Sequence, residues 1–372
     1  MKKVIFALAA VVALAACSQE QTVVMPEGNA IGFNTFVDKA TRSVNDPSYS
    51  SAQGGKMFTN FGVFGTVEGA ELFDDVTVSG SGVGENASWT YTGTQYWIAG
   101  AKYNFAAVAP QTVVVDGVDT PVYTNAKYTV TSAGDGADKT YSGTTTLSFV
   151  NNGTTDLLYA EATAEGKAGS GNAAQPANGK VQFNFRHVLS KVKFTFTNLY
   201  NASNATIRVE NVQIRDAYES GVAKLNAATA WAPESNGLIL NFGNAAVASA
   251  DAEEAFACNV KKESYNELLM IPGAGATKIE GKNVYTVQFD VVLLVSGQEI
   301  DTYTHTVYTT FAPEAGKAYN IATSITPENI DPEHNQEPIE FTVNSLGGWD
   351  NGNTVDSTPD DEETEKDYYP LN

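Results

Sequence analysis

The stretch VQFNFRHVLSKVKFTF, residues 181–196, decides the fold of this chain. Its large apolar side chains occupy odd positions up to Phe185 and even positions from Val192 onward. An alternation with a period of two is typical of a β strand, because successive side chains point to opposite faces. One core face cannot accept both sets without a break in the strand. We therefore predict a bulge or bend between Arg186 and Lys191.

Strands of the same kind recur on both sides of this stretch, and Gly, Asn, Asp or Pro separates most of them. The alternation is clearest from Tyr285 to Leu293. No stretch carries the apolar stripe and the caps of an amphipathic helix. Many short strands at close spacing favour an all-β sandwich. The other candidate strands are residues 31–36, 61–66, 89–92, 103–109, 123–131, 145–150, 157–162, 207–214, 238–241, 268–271, 299–308, 319–325 and 339–343.

The segment from Lys167 to Lys180 is small, polar and rich in turn-forming residues, so it is the predicted boundary between two domains. The run Asp360–Glu363 carries like charges, which we expect to stay solvated. The predicted divisions are a signal peptide at 1–16, a tether at 17–28, an N-terminal sandwich at 29–179, a C-terminal sandwich at 180–349 and an acidic tail at 350–372.

The first seventeen residues have the pattern of an export signal. Two lysines precede the apolar run Val4–Ala16, which is shorter than the roughly 20 residues of a membrane span. The run ends in Leu14-Ala15-Ala16-Cys17, which looks like a bacterial lipobox. Cleavage between Ala16 and Cys17, followed by acylation of Cys17 (palmitate), would hold the protein at a membrane. The alternative is an ordinary secretory peptide followed by a chance cysteine.

The charge and the cysteine content limit the partners of the chain. Its formal net charge of −21 gives no attraction to nucleic acid or to anionic lipid. Hydrophobic residues make up 42% of the sequence, which is enough to build real cores. If Cys17 carries lipid, Cys258 has no partner within the chain, so we expect no disulfide framework. Cys258 is interpreted as a small buried hydrophobe rather than a reactive thiol.

A search for catalytic or metal-binding patterns gives weak candidates. The histidines are His187, His305 and His334, and no two of them have the spacing of metal ligands. The Gly-x-Ser-x-Gly elbow is missing from the sequence, and the glycine clusters lack the context of a phosphate loop. His187 is interpreted as a packed or hydrogen-bonded residue. We therefore expect no enzyme activity, no metal and no cofactor.

Two further patterns leave alternatives open. Asp350 to Asp356 is rich in oxygen ligands and could bind calcium, although a solvated loop explains it as well. An aromatic cluster early in the chain could form a platform for sugar stacking, or it could be core and cross-strand pairs. Its members are Trp89, Tyr91, Tyr96, Trp97 and Tyr103.

The order of several motifs resembles that of the fimbrillin-like lipoproteins, the subunits of type V pili in Gram-negative anaerobes. These motifs extend over nearly the full length of the chain. They are the lipobox at Cys17, Ile31-x-Phe33 before Thr41-Arg42, Tyr96-Trp97 before residues 103–110, Asp156–Ala160 before residues 183–192, Leu269–Pro272, Gly316-x-Ala318-Tyr319, and Ile339-x-Phe341-x-Val343 with Trp349.

The resemblance implies a fold and a maturation route. The fold would be two transthyretin-like (Greek-key) β sandwiches in tandem. The subunit would reach the cell surface as an outer-membrane lipoprotein, with lipid at Cys17. An arginine-specific surface protease would then cut the Arg42–Ser43 bond and so release the first strand, which contains Ile31, Phe33 and Phe36. The alternative is that Arg42 is an exposed loop residue without a role.

The resemblance also implies assembly with other fimbrial subunits, the same or related, by donor-strand exchange. One candidate donor is the segment Glu337–Trp349, with Ile339, Phe341 and Val343, and the other is Tyr368–Leu371. The acidic run between the two segments leaves a tip or accessory role equally open. A surface lipoprotein that binds glycans is the alternative function, and a secreted hydrolase on a β scaffold is a third.

Overall fold

The computed structural model describes residues 30–37, 58–81, 88–166, 179–334, 337–348 and 368–369. Within these ranges the regular secondary structure is β strand, apart from a 3-10 turn at Gly136–Asp138. The expected all-β class is therefore confirmed. A helix with the length and hydropathy of a bilayer span is missing from the same ranges.

The strands of the first half of the chain are β1 (Gly32–Val37), β2 (Asn60–Val67), β3 (Ala70–Ser81), β4 (Ser88–Thr90), β5 (Lys102–Ala109), β6 (Thr112–Val115), β7 (Val118–Pro121), β8 (Tyr123–Ala133), β9 (Thr140–Val150), β10 (Leu158–Glu165), β11 (Lys180–His187) and β12 (Ser190–Asn198). The remaining strands are β13 (Ala205–Leu225), β14 (Thr229–Gly243), β15 (Phe256–Ala257), β16 (Lys261–Glu263), β17 (Leu268–Met270), β18 (Thr277–Ile279), β19 (Lys282–Val295), β20 (Gln298–Thr309), β21 (Lys317–Ile325), β22 (Thr342–Gly348) and β23 (Tyr368–Tyr369).

The first sheet has the strand order β1-β11-β10-β5-β2-β3-β4. Its central strands are buried on both faces. On β5, for example, Phe105 and Ala107 enter one core, while Ala106 and Val108 enter another. We name the aromatic core around Phe105 the first core, and the core on the opposite face the middle core.

The long sheet joins the two halves of the chain. Its order is β23-β20-β19-β13-β9-β8, and β14 and β15 also pair with β13. Strand β13 pairs with β19 over Ala205–Ile214 and with β9 over Ser220–Leu225. Strands β8 and β9 cover the middle core of the first sheet, with Leu147 and Phe149 buried there. One continuous strand therefore contributes to both halves.

The second sheet has the order β16-β12-β21-β22, with β17 also paired to β12. It packs against the β13–β19 part of the long sheet and forms the second core. Phe194 and Phe196 of β12 lie in this core with Phe289 of β19, and all three side chains are fully buried. The two packed sheets form a β sandwich. A tandem transthyretin-like topology stays a prediction.

The predicted break between Arg186 and Lys191 is found as a bend at Val188 and Leu189. Before the bend, Val181, Phe183 and Phe185 enter the first core. Beyond it, the even-numbered apolar residues of β12 enter the second core. The change of face in the sequence is therefore a change of sheet in the structure.

The bend is fixed by hydrogen bonds to both halves. The Val188 N–H donates to the Leu157 carbonyl at 3.1 Å, and the Trp231 indole N–H donates to the Val188 carbonyl at 2.8 Å. The Gly316 N–H donates to the Leu189 carbonyl at 2.8 Å. Buried polar groups paired in this way hold the two cores in a defined relation.

The predicted domain boundary at residues 167–180 needs a correction in position. Strand β11 begins at Lys180 and pairs with β1 and β10, so residues 180–187 belong to the first sheet. The chain passes to the second sheet at Val188 and Leu189. Turn-rich composition marked the loop before β11, but sheet membership depends on pairing with strands that are distant in sequence. A division into two separate domains stays a prediction.

One buried histidine lies in the second core. The His305 ring stacks on Phe289, with ring centroids 5.1 Å apart, and its Nε2 is 3.0 Å from the Ile330 carbonyl oxygen. Burial lowers the pKa of His305 to about 4, although the Ile330 carbonyl, Asp290 and Asp331 act in the opposite direction. The side chain is therefore neutral in the folded protein near pH 7.

We expect the free energy of unfolding to fall as the pH drops from about 6.5 toward 4, because the unfolded chain binds a proton on His305 that the folded chain does not. This one group accounts for a loss of roughly 3 kcal/mol over that window. Urea denaturation at several pH values measures it. His305→Gln should flatten the curve relative to the wild type, whereas His334→Gln, at an exposed site, should not. Identical curves for His305→Gln and the wild type would contradict the assignment.

Candidate functional site

The candidate site is the groove that β1 occupies in the first sheet. On one side, β1 pairs in parallel with β11 from Gly32, opposite Lys180, to Val37, opposite Phe185. On the other side lie residues 91–96, which follow β4. We name this space, between β11 and residues 91–96, the β1 groove.

The β1 groove is closed on its second side by a small set of hydrogen bonds. The Ile31 N–H donates to the Gln95 carbonyl at 2.8 Å, and the Tyr91 hydroxyl donates to the Ile31 carbonyl at 2.8 Å. Ala30 forms an isolated antiparallel bridge with Tyr96. Burial raises the pKa of the Tyr91 phenol, so the hydroxyl keeps the proton that it donates. These contacts bring the two ends of the first sheet together at β1.

The floor of the β1 groove is aromatic. Phe33 is fully buried, and Ile31 is 1% exposed. The Phe33 ring stacks on Phe183, with centroids 5.7 Å apart and an interplanar angle of 20°. Four more rings surround it at centroid distances of 5.4–6.5 Å, namely Phe61, Phe73, Tyr91 and Phe105. These rings come from separate strands or loops, so Phe33 fills the centre of the first core.

The predicted strand residues Ile31 and Phe33 therefore lie together in one apolar site. Phe36 is in β1 opposite Asn184. Its side chain lies outside the described residues. Cys17, Ala16, Arg42 and Ser43 also lie outside them.

The ends of the connection between β1 and β2 lie close together. Val37 is opposite Phe185 on β11, and the ring of Phe58 is 5.0 Å from the ring of Phe185. Residues 38–57, which contain Arg42, join these two points. Arg42 therefore lies in the covalent connection between β1 and β2, at a point outside every described strand.

One candidate donor segment is docked in its own chain. Ile339 and Phe341 are buried in the second core, and Val343 packs against it. The ring of Phe341 lies 5.9 Å from that of Phe194 and 6.1 Å from that of Phe289. Strand β22, which contains Val343, pairs antiparallel with β21. This segment is part of the second sheet.

The other candidate donor has a smaller attachment. Tyr368 is opposite Thr309 and Tyr369 is opposite Tyr308, at the edge of β20. Leu371 lies outside the described residues, as do Trp349 and the Asp350–Asp356 loop considered for calcium. Within the described ranges, no group of three or more His, Cys, Asp and Glu side chains could hold a metal ion.

The aromatic cluster that left a sugar platform and core packing as alternatives is mainly core. Trp97 and Tyr103 are 3% and 1% exposed, and their rings pack edge to face at 4.7 Å in the first core. Trp89 and Tyr91 pack against the same core. These four aromatic residues therefore reflect packing of β4, β5 and the segment between them on the first core.

Two other residues that sequence analysis singled out have defined positions. His187 is buried, and its Nδ1 lies 2.5 Å from Oδ2 of Asp156, which confirms a packed, hydrogen-bonded residue. Cys258 is partly exposed, so its interpretation as a buried hydrophobe is wrong. Sequence reasoning missed Gln95 and Tyr91 as partners of Ile31, because no local pattern joins residues so far apart along the chain.

Residues 41–345 of the chain match the fimbrillin-like family. Among solved structures, the chain is similar to a fimbrial protein from Bacteroides vulgatus, with 17% identity over 86% of this chain and 99% of that one, and a TM-score of 0.47. It is also similar to the fimbrial anchor protein Mfa2 from Porphyromonas gingivalis, with 11% identity, coverage of 85% and 95%, and a TM-score of 0.35. No curated protein sequence matches it. Because the family match covers most of its length, this protein belongs to the fimbrillin-like family.

Proposed function

We propose that this protein is a structural subunit of a cell-surface fimbria that accepts a strand of a neighbouring subunit in the β1 groove. Membership of the fimbrillin-like family supports a fimbrial subunit at the cell surface. The observation that carries the finer proposal is the position of Phe33, a single large side chain that fills the centre of the first core from an edge strand. A groove of this kind fits β augmentation, in which alternate side chains of an added strand enter pockets.

Delivery precedes assembly in this proposal. The chain is exported, cut before Cys17, acylated there and held at the outer membrane. An arginine-specific protease then cuts the Arg42–Ser43 bond. The anchor and β1 lie on the same side of that bond, so one cut separates both from the rest of the subunit.

The cut acts through effective concentration. While β1 is covalently attached, its local concentration at the groove is roughly millimolar or higher, as for a short tether. Burial of the Ile31 and Phe33 side chains contributes about 1.5–3 kcal/mol each. After the cut, the same contacts hold a separate peptide that dilutes once it dissociates. A strand supplied by a neighbouring subunit then competes for the groove without the high effective concentration that favoured the attached β1.

The two candidate donors differ in the contacts that would be lost if each segment left its own chain. Moving Ile339 and Phe341 would open the second core, where both are buried. Moving Tyr368 and Tyr369 breaks a two-residue pairing at the edge of β20. Tyr369-x-Leu371 has the same spacing as Ile31-x-Phe33, so both can present two large side chains on one face. We therefore propose the terminal segment as the donor. If this segment instead stays paired with β20, the protein would have a tip or accessory role in the fimbria.

Changing Arg42 to Ala should stop maturation. An arginine-specific protease should convert the wild type to a form that begins at Ser43 and forms ladders on electrophoresis without boiling. Arg42→Ala should remain monomeric and uncut. Lys39→Ala, a change of a neighbouring cation in the same connection, should behave as the wild type. Equal ladders from Arg42→Ala would overturn the role of this bond.

Changing Phe33 to Ala should weaken retention of β1 after the cut. Loss of a buried phenylalanine costs about 3–5 kcal/mol, so the fragment ending at Arg42 should leave the cut protein much faster. Mass spectrometry after gel filtration measures the retained fraction. Asn34→Ala is the matched control, since Asn34 is a half-exposed neighbour on the same strand. Equal retention in the two variants would show that the Phe33 pocket does not hold the strand.

Removal of Tyr368–Asn372 should prevent the protein from donating a strand, while leaving its β1 groove able to accept one. After protease treatment, the shortened protein should form no ladder alone, but should add to polymers of the full-length protein. A full-length variant with Asp360–Glu363 changed to serine controls for a general effect of altering the C-terminal tail and should polymerise. An unchanged ladder from the shortened protein alone would transfer the donor role to residues 337–348.

A further inference from the structure

A second site, which shares no residue with the β1 groove, lies beside β14. It is an open cavity of about 440 Å³, within the range of roughly 300–1,000 Å³ typical of small-molecule sites. Three chain segments form it: the loop between β9 and β10, the outer face of β14, and the loop between β16 and β17. The fimbrial role proposed above uses none of these residues.

One wall of the cavity presents exposed apolar surface. Ile239 is 48% exposed and Tyr265 is 38% exposed. Ile239 and Asn241 lie two residues apart on β14, so they share its outer face. Large exposed apolar side chains at the rim of a concave site provide a contact surface for the apolar face of a ligand.

The polar groups of the cavity have unused hydrogen-bonding capacity. Asn241 accepts a hydrogen bond from the Gly243 N–H through Oδ1, and Asn266 donates through Nδ2 to the Asn241 carbonyl at 3.3 Å. Within the described ranges, the Asn241 amide donors, Asn266 Oδ1 and the Tyr265 hydroxyl have no protein partner. The site therefore offers both donors and acceptors next to an apolar wall.

Main-chain hydrogen bonds hold the walls in place. The N–H groups of Tyr265 and Asn266 donate to the carbonyls of Asn244 and Phe242, each at 3.0 Å. The Leu269 N–H donates to the Gly153 carbonyl at 2.8 Å, which ties β17 to the loop between β9 and β10. A site fixed before binding loses little conformational entropy when a ligand arrives.

Charge restricts the ligand. The carboxylate in the cavity is Glu267, and its Oε2 lies 3.3 Å from the Nζ of Lys191. The side chains of both are largely buried, so this pair is a fixed part of the wall. The whole chain carries a formal charge of −21. An anionic ligand would meet unfavourable electrostatics here, whereas a neutral one would not.

We propose that this cavity binds a neutral pyranose sugar. The C–H face of the sugar ring packs on Tyr265 and Ile239, while its hydroxyls bond to the amides of Asn241 and Asn266. Hydroxyls both donate and accept, which matches the mixed polar groups of the site. Binding of a glycan at this position leaves the β1 groove available, so adhesion and polymerisation are independent.

Saturation-transfer NMR with the full protein tests the proposal, using the methyl pyranosides of glucose, galactose, mannose and N-acetylglucosamine as probes. At least one probe should bind. Tyr265→Ala should raise its Kd at least tenfold, as expected for loss of a ring contact and a hydrogen bond. Asn241→Asp keeps the acceptor for Gly243 and removes the donors, so it should also weaken binding.

Ile300→Ala, which changes a 60% exposed residue on β20, is the matched control and should bind as the wild type. Tyr265→Phe keeps the ring and should retain part of the affinity, which separates a contact effect from misfolding. The proposal is overturned if none of the four probes binds, or if Tyr265→Ala binds as tightly as the wild type. Unchanged polymerisation of Tyr265→Ala would show that the two functions are separate.

Discussion

Packing of the Phe33 ring among five other aromatic rings closes the first sheet, and the rest of the fold is arranged around that closure. The rings belong to residues that are far apart in sequence, and Phe33 contacts all five of them. Hydrogen bonds along β11 and to Gln95 fix the position and direction of β1, while the apolar contacts supply most of the stabilisation. β1 has a full strand ladder with β11 and only a few hydrogen bonds to residues 91–96, so its exchange breaks the pairing with a single strand.

Local alternation in the sequence predicted much of this architecture. The apolar alternation around Phe183 and that around Phe194 fall on opposite parities, which predicted a break in the strand. The structure has this break at Val188 and Leu189. Ile31 and Phe33 also followed from alternation, and both are buried in the β1 groove. Side chains that alternate along a strand leave a period of two in the sequence. Strand positions and their buried faces can therefore be predicted from short stretches of sequence.

Pairing between distant strands left no such signal. Nothing near Lys180 shows that β11 joins β1 in parallel, and nothing near Thr145 shows that β9 joins β13. The aromatic residues around Trp97 have the same composition in a core as on a binding surface, and only closure of the sheet decides between them. The cavity beside Tyr265 likewise combines two loops and one strand that no sequence motif connects.

Strand β13 has a mechanical consequence. It contributes at one end to the second core and at the other to the middle core, and bulges along its length let it twist from one to the other. A force that separates the second core from the middle core is therefore transmitted in part through β13, and its ladder hydrogen bonds with β19 and β9 resist that force. Resistance to such a force depends on the rate of unfolding rather than on equilibrium stability. In a fibre built from such subunits, this one strand would carry part of the load from one core to the other.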